Sequence, residues 1–219
     1  MLHISGSIDG EVYLNNESNS HRNYACIILA AGQSKRMARS KIVLPWEKKT
    51  VIGTIISSFQ SAGIKHIVVV TGGYRELVEE EVKKYDVEAV FNPDFANGEM
   101  ALSLKTGLRK ISSSCDGVFV ALGDQPDIHP IDLIGIMGKS DEFPDKLIIP
   151  SYSMRRGHPW LVPTIFFPEI KGIKSPDTMK TFIQNHEGNV EYYLVKKSNI
   201  LADLDTPEDY ERLKPNETN

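Results

Sequence analysis

Residues 24–46, YACIILAAGQSKRMARSKIVLPW, change character halfway along. Tyr24 to Ala31 is almost wholly apolar, whereas the next ten residues hold Lys35, Arg36, Arg39 and Lys41, and a second apolar run closed by Pro45 follows. The first run predicts a buried strand, with Gly32 opening a loop at its carboxyl end. In a parallel sheet that edge is where ligands sit, because a glycine-containing loop lets backbone N–H groups approach an anion. The cations then have a reason: a triphosphate packs several charges into little space, Arg offers it bidentate donors and Lys a point charge. A dinucleotide fingerprint and a Walker loop are both excluded, since neither G-x-G-x-x-G nor Gly followed by Lys-Ser/Thr at the required offsets is present.

Outward from this stretch, short runs rich in Val and Ile alternate with longer amphipathic segments, the pattern of strands and crossover helices in an α/β domain. The clearest strands are YACIILAA, HIVVVT, VEAVF and GVFVAL, and Val51 to Ala62, Glu76 to Tyr85 and Met100 to Ile111 have helical apolar spacing. The second half is less regular: LIIPS, WLV and VEYYLV read as strands, while prolines between Pro144 and Pro176 break the alternation and predict an antiparallel strand or an excursion over the sheet edge. Residues 1–23 form a polar tail in which EVYL is able to add a short edge strand, and residues 24–219 form one domain.

The chain has 219 residues, a formal charge of -4 and a pI near 5.9, which give no bulk attraction to nucleic acid or an anionic membrane. The basic cluster is therefore a local site for a small target. Cys26 and Cys115 lie in or beside apolar runs without a metal or redox spacing and read as buried hydrophobes, which suits a reducing cytoplasm. No secretory signal or membrane span is expected.

Two further phrases carry carboxylates. In VALGDQP, Asp124 ends an apolar strand on the edge where the phosphate loop must lie; it is a turn former there, or a ligand for Mg²⁺, which prefers oxygen donors and bridges carboxylates to substrate phosphates. In LADLDTPEDYERL, Thr206, Pro207, Glu208 and Asp209 have the pattern of a helix start. Asp205 lies just outside that helix, where it is able to share a metal with Asp124.

LAAGQSKRMARSK, Leu29 to Lys41, with IVLPW behind it, resembles the nucleotidyltransferases whose first strand ends in L-A-x-G-x-S-x-R-M-G before a lysine, an apolar run and Pro. The departure is Ala38, where the family has Gly; a positive backbone dihedral there costs Ala about 1 kcal/mol, so the loop is expected to turn slightly differently. Gly-Asp-x-Pro and D-x-D-T-P-E-D recur in the same order, NPDFANGEMALSLKTGL resembles the family's N-P-x-x-x-x-G stretch, and PSYSMRRGHPWLV resembles the G-H-P segment of the MobA-like and MocA-like branch that contains the molybdenum cofactor cytidylyltransferases.

This resemblance runs from about Tyr24 to Leu213 and weakens between Gly172 and His186. It implies a Rossmann-like three-layer α/β fold with a mostly parallel mixed sheet, and Mg²⁺-dependent transfer of a nucleoside monophosphate, CMP from CTP, to a phosphorylated acceptor, molybdopterin or the molybdenum cofactor. It further implies that Leu29, Ala30, Ala31, Gly32, Gly98 and Ser103 hold the nucleotide, that Arg36, Lys41 and Asp124 are catalytic, and that Asp124 and Asp205 bind metal. Arg156, Gly157 and His158 are implied to bind the acceptor, through its phosphate. Guanylyl-transferring relatives carry Gly where this chain has Ala31, whose methyl group narrows a purine pocket. A molybdoenzyme or its chaperone is the implied protein partner. The alternatives are a sugar-phosphate or alcohol-phosphate nucleotidyltransferase of the same fold, and a noncatalytic NTP-binding or cofactor-chaperone module.

Overall fold

The opening apolar run becomes the central strand of the protein. The computed structural model describes residues 22–33, 40–97, 99–111 and 114–215; EVYL lies outside them. The strands are β1 (Tyr24–Ala30), β2 (Pro45–Trp46), β3 (Lys49–Thr50), β4 (His66–Thr71), β5 (Glu88–Phe91), β6 (Gly117–Leu122), β7 (Leu147–Tyr152), β8 (Arg155–Arg156), β9 (Trp160–Pro163) and β10 (Val190–Leu194). The helices are α1 (Val51–Ser61), α2 (Arg75–Val82), α3 (Met100–Leu108), α4 (Pro130–Glu142), α5 (Phe167–Gly172), α6 (Met179–Asn185) and α7 (Pro207–Leu213).

The main sheet has the order β10-β7-β9-β6-β1-β4-β5, with β8 beside β7 and β2-β3 as a separate hairpin. β1 runs parallel to both β4 and β6, β4 to β5, and β10 to β7, while β9 is antiparallel to β6 and β7. The expected antiparallel strand is thus WLV. Its reversal has a local consequence: the amino end of β9 lies on the same edge as the carboxyl ends of β6 and β7.

Alternation along β1 sends Tyr24, Cys26, Ile28 and Ala30 into one apolar cluster with α1, α2, α4 and Tyr210, and Ala25, Ile27 and Ala31 into the other with α3, α5 and α6. Both faces are covered, which is why the strands read as continuous apolar runs rather than alternating ones. The result is the expected three-layer α/β fold with a mostly parallel mixed sheet. None of the helices among the described residues is long and apolar enough to cross a membrane.

From β1 the chain crosses to β4 and β5 on one side, then returns to β6 on the other. The order therefore reverses between β1 and β6, and a crevice opens outside their carboxyl ends. Glycines bring the turns of neighbouring strands against that end of β1. Gly73 N donates to Ala31 O at 3.3 Å and Gly123 N to Leu29 O at 2.9 Å. A β-carbon on Gly72 would lie 2.4 Å from Ala31 O and 2.7 Å from Phe95 Cβ, closer than any packed pair tolerates. Gly72→Ala is accordingly expected to cost about 1–3 kcal/mol by urea unfolding and to weaken nucleotide binding; unchanged stability would mean that the β4–α2 turn is not held against β1.

Candidate active site

Three segments distant in sequence meet at this crevice. Lys41 opens the short 3-10 turn Lys41–Val43, Asp124 follows β6, and Asp205 stands immediately before Thr206, the N-cap of α7. Lys41 Nζ donates to Asp124 Oδ2 at 2.6 Å and to Asp205 Oδ1 at 3.2 Å. The ammonium is the most enclosed of the three, its side chain 12% exposed against 23% for Asp124 and 40% for Asp205. The carboxylates thus remain open to solvent on the side away from the lysine.

Backbone and side-chain bonds fix this meeting. Leu204 N donates to Asp124 O at 3.1 Å, Gln125 Nε2 to Asp203 Oδ1 at 2.6 Å, and Asn199 Nδ2 to Asp127 O at 2.6 Å, so the loop after β6 is stitched to the loop before α7. The capping box of Thr206 and Asp209 anchors the far side. Burial holds the Asp203 carboxyl above its usual range; the bond from Gln125 opposes this, Asp124 and Asp205 add to it, and Lys41 again opposes it. Asp203 therefore positions the loop, whereas Asp205 faces the cation. Sequence reasoning had not identified the Gln125–Asp203 bond, although the D-x-D spacing places Asp203 beside its neighbour.

The two outer carboxylates fit a hard divalent cation. Their oxygens already converge on a single positive centre, and both are of the type that Mg²⁺ prefers. Among the described residues no group of three or more His, Cys, Asp or Glu is placed to hold a metal, so further ligands at this point would come from substrate phosphates and water.

Around this centre, Leu29 and Ala30 end β1, and Ala31 is buried in the same apolar cluster as Val70 and Ala101. A β-carbon on Gly32 would meet no described atom within 4 Å, so packing among the described residues does not demand glycine there. Ser103 is buried in α3, its Oγ accepting from Asn92 Nδ2 at 3.0 Å, and Asn92 is tied in turn to Thr71 O. Arg36 and Gly98 lie outside the described residues.

The segment expected to bind the acceptor lies farther along the same edge. Ser153 and Met154, both with positive φ, make the two-residue turn that places β8 beside β7. Arg156 is engaged there by Tyr192 Oη at 2.8 Å and Glu187 Oε1 at 3.1 Å. Gly157 is required by packing, because a β-carbon would lie 2.4 Å from Ile200 O. The His158 ring stacks on Trp160, centroids 4.3 Å apart and planes 22° from parallel.

Burial lowers the His158 pKa from 6.5 to about 4, so the ring is neutral at pH 7. The unfolded chain protonates this imidazole near pH 6.5 and the folded chain only near pH 4. Its contribution to stability is therefore present above pH 6.5 and lost as pH falls through that window. Urea midpoints at pH 7.5 and 4.5 should show a smaller acid loss for His158→Gln than for the parent; equal losses would place the imidazole in water.

This fold agrees with that of known proteins. The MobA-like NTP transferase domain matches residues 26–190. The chain is 30% identical over 190 residues to the molybdenum cofactor cytidylyltransferase of Escherichia coli (strain K12), covering 84% of this chain and 92% of that one. The crystal structure of Rv0371c from Mycobacterium tuberculosis H37Rv superposes with a TM-score of 0.77 at 25% identity, covering 88% and 97% of the two chains. A complex of Rv0371c with manganese gives 0.72 at 26%, covering 88% and 98%. Spanning most of the domain and nearly the full length of these relatives, the chain belongs to the MobA-like NTP transferase family and is a nucleotidyltransferase.

Proposed function

We propose that the protein transfers CMP from CTP to molybdopterin or its molybdenum form in a Mg²⁺-dependent reaction that releases pyrophosphate. The observation that carries this reading is the convergence of Asp124 and Asp205 on the Lys41 ammonium outside the β1–β6 reversal. Simple nucleotide capture does not call for a second carboxylate, which argues against a noncatalytic module. The similarity to a cytidylyltransferase named for the molybdenum cofactor, and the manganese complex of a structural relative, support the donor, the acceptor class and a divalent ion.

The reaction needs no general base, because the acceptor phosphate is already ionised at neutral pH. One of its oxygens attacks the α-phosphorus of CTP while the bond from that phosphorus to the bridging oxygen breaks, and pyrophosphate leaves with the electron pair. Catalysis then rests on alignment and charge neutralisation. Mg²⁺, when bound, would be held by Asp124 and Asp205 and would supply charge neutralisation at the α-phosphate. The N–H groups at the end of β1 receive phosphate oxygens above Gly32, and Lys41 with Arg36 stabilises the departing pyrophosphate. Ala31, Gly98 and Ser103 border the base, while Arg156, Gly157 and His158 border the acceptor. The reading includes a cytoplasmic setting and delivery to a molybdoenzyme or its chaperone.

Pyrophosphate release measured for four NTPs against molybdopterin and sugar-phosphate acceptors tests the whole reading. CTP with molybdopterin should dominate; transfer to a sugar phosphate alone would replace the acceptor and keep the enzyme class. Asp124→Asn should lower turnover by about 10²–10³-fold with the fold intact, and near-native turnover with Mg²⁺ would remove the metal assignment. Ala31→Gly is expected to relax discrimination against GTP by at most about 3 kcal/mol, read as the ratio of kcat/KM values.

Because Lys41 Nζ stands where a metal would share the two carboxylates, Lys41→Met should tighten Mn²⁺ binding to the nucleotide-free protein while slowing transfer. Calorimetric titration of Mn²⁺ checks this, with Lys49→Met on the exposed β2–β3 hairpin as a control for net charge. Equal tightening in both variants would show a general field effect in place of competition for the carboxylates.

A further inference from the structure

The two outer strands of the main sheet differ in how their edges are guarded. At the β5 edge, Lys110 Nζ pairs with Glu88 Oε1 at 2.8 Å and the Arg75 guanidinium covers the Phe91 ring at 4.6 Å. Charge laid over an outer strand in this way keeps sheet edges from pairing with one another. At the other edge, β10 (VEYYL) holds no proline, glycine or basic residue, and among the described residues no strand lies beyond it. Leu194 is 75% exposed there.

The ladder with β7 fixes which backbone groups of β10 face outward. β10 runs parallel to β7 with Leu194 opposite Ser151, and Val195 N donates to Ser151 O at 3.0 Å. Glu191 and Tyr193, which alternate with Val195, therefore turn their N–H and C=O groups to β7, and Val190, Tyr192 and Leu194 turn theirs to the open edge. The Tyr192 ring does not stand in the way: Arg156 Nε, in β8, donates to Tyr192 Oη at 2.8 Å and draws the ring back over β7.

A second copy of β10 related by two-fold symmetry runs antiparallel to the first, and its outward groups must meet outward groups. Centred on Tyr192, this pairing sets Val190 opposite Leu194 of the second copy and Tyr192 opposite its own counterpart, so that every outward N–H and C=O of the strand finds a partner. Centred on Glu191, it would leave Leu194 beyond the ladder and place like charges opposite each other; centred on Tyr193, it would leave out Val190. The charges at the ends of the strand agree with the Tyr192 register. Glu187 precedes β10, Lys196 and Lys197 follow it, and all three side chains are exposed. Antiparallel pairing carries the lysine end of each copy to the glutamate end of the other, so one strand supplies both halves of the match.

We propose that β10 is the interface of a two-fold symmetric dimer in which the edge strands of two copies pair antiparallel about Tyr192 and join their sheets into one. Leu194 is then covered by the second copy. The pairing runs over a strand of 5 residues, so the dimer depends on concentration and is not obligate. With β7 and β9 between β10 and β6, the interface stands apart from the Lys41–Asp124–Asp205 centre and is independent of the transferase reading.

Sedimentation velocity of the 219-residue chain over a range of concentrations tests this. The native protein should pass from monomer to dimer, and Leu194→Lys, which sets a charge on the open edge, should raise the dimer dissociation constant about tenfold or more. Glu187→Lys and Lys197→Glu should each weaken the dimer, and the two combined in one chain should restore it. Because Cys26 and Cys115 are buried, added cysteines report the register. Tyr192→Cys should give a disulfide-linked dimer on mild oxidation, since counterparts on the axis stand about 5.5 Å apart at Cα. Leu194→Cys should not, since its counterpart is displaced by the distance from Val190 to Leu194, about 14 Å along the strand. A native chain that stays monomeric, or a dimer that Leu194→Lys leaves unchanged, would overturn the proposal, as would a disulfide at Leu194 in place of Tyr192. Dimerisation of a chain lacking residues 1–21, where the complete chain stays monomeric, would also overturn it and assign the edge to the amino-terminal segment. Should Leu194→Lys fail to fold, the charge exchange and the two cysteine variants decide.

Discussion

The Lys41 ammonium lies between two carboxylates that would otherwise repel, 2.6 Å from Asp124 and 3.2 Å from Asp205. Like charges at such range repel strongly in a partly desolvated setting. The arrangement persists because the surrounding chain over-determines it: Leu204 N holds the backbone of Asp124, Gln125 holds Asp203, and the capping box fixes the residue after Asp205. The β1–β6 reversal puts all of this outside one strand edge. Removing the cation would leave the loops in place and their charges uncompensated.

The same edge is shaped by close backbone approach. Gly72 has no room for a side chain against the Ala31 carbonyl, and Gly123 little against Leu29 O. Gly32 faces open space. The outer glycines thus permit neighbouring turns to close on β1, and packing among the described residues makes no such demand of Gly32.

The fold was legible where local pattern and tertiary environment agree. β1, β4 and β6 are buried on both faces, so their apolar runs are continuous and their ends fall within a residue of those expected. α4 escaped notice because only Leu133, Ile136 and Ser140 are buried along its length and the segment lacks a strong apolar stripe. The direction of β9 is set by pairing with β6 and β7, distant in sequence, and an expectation of some antiparallel strand is as far as local pattern reaches. At the site, Lys41, Asp124 and Asp205 emerged from phrases whose order in the chain resembled a family, and the structure brings them together. The stacking of Trp160 on His158 did not emerge, since in sequence Trp160 is one more apolar residue in WLV.

His158 shows how burial alters the meaning of a motif. Beside Arg155 and Arg156 in the chain, it reads as part of a basic acceptor site; in space its ring lies on Trp160, and Arg156 is turned to Glu187 and Tyr192. Among the described residues, Lys41 places positive charge directly beside the carboxylates. Charge and ring stacking thus lie at separate points on this edge, the ammonium beside the carboxylates and the stacked rings on the β9 flank.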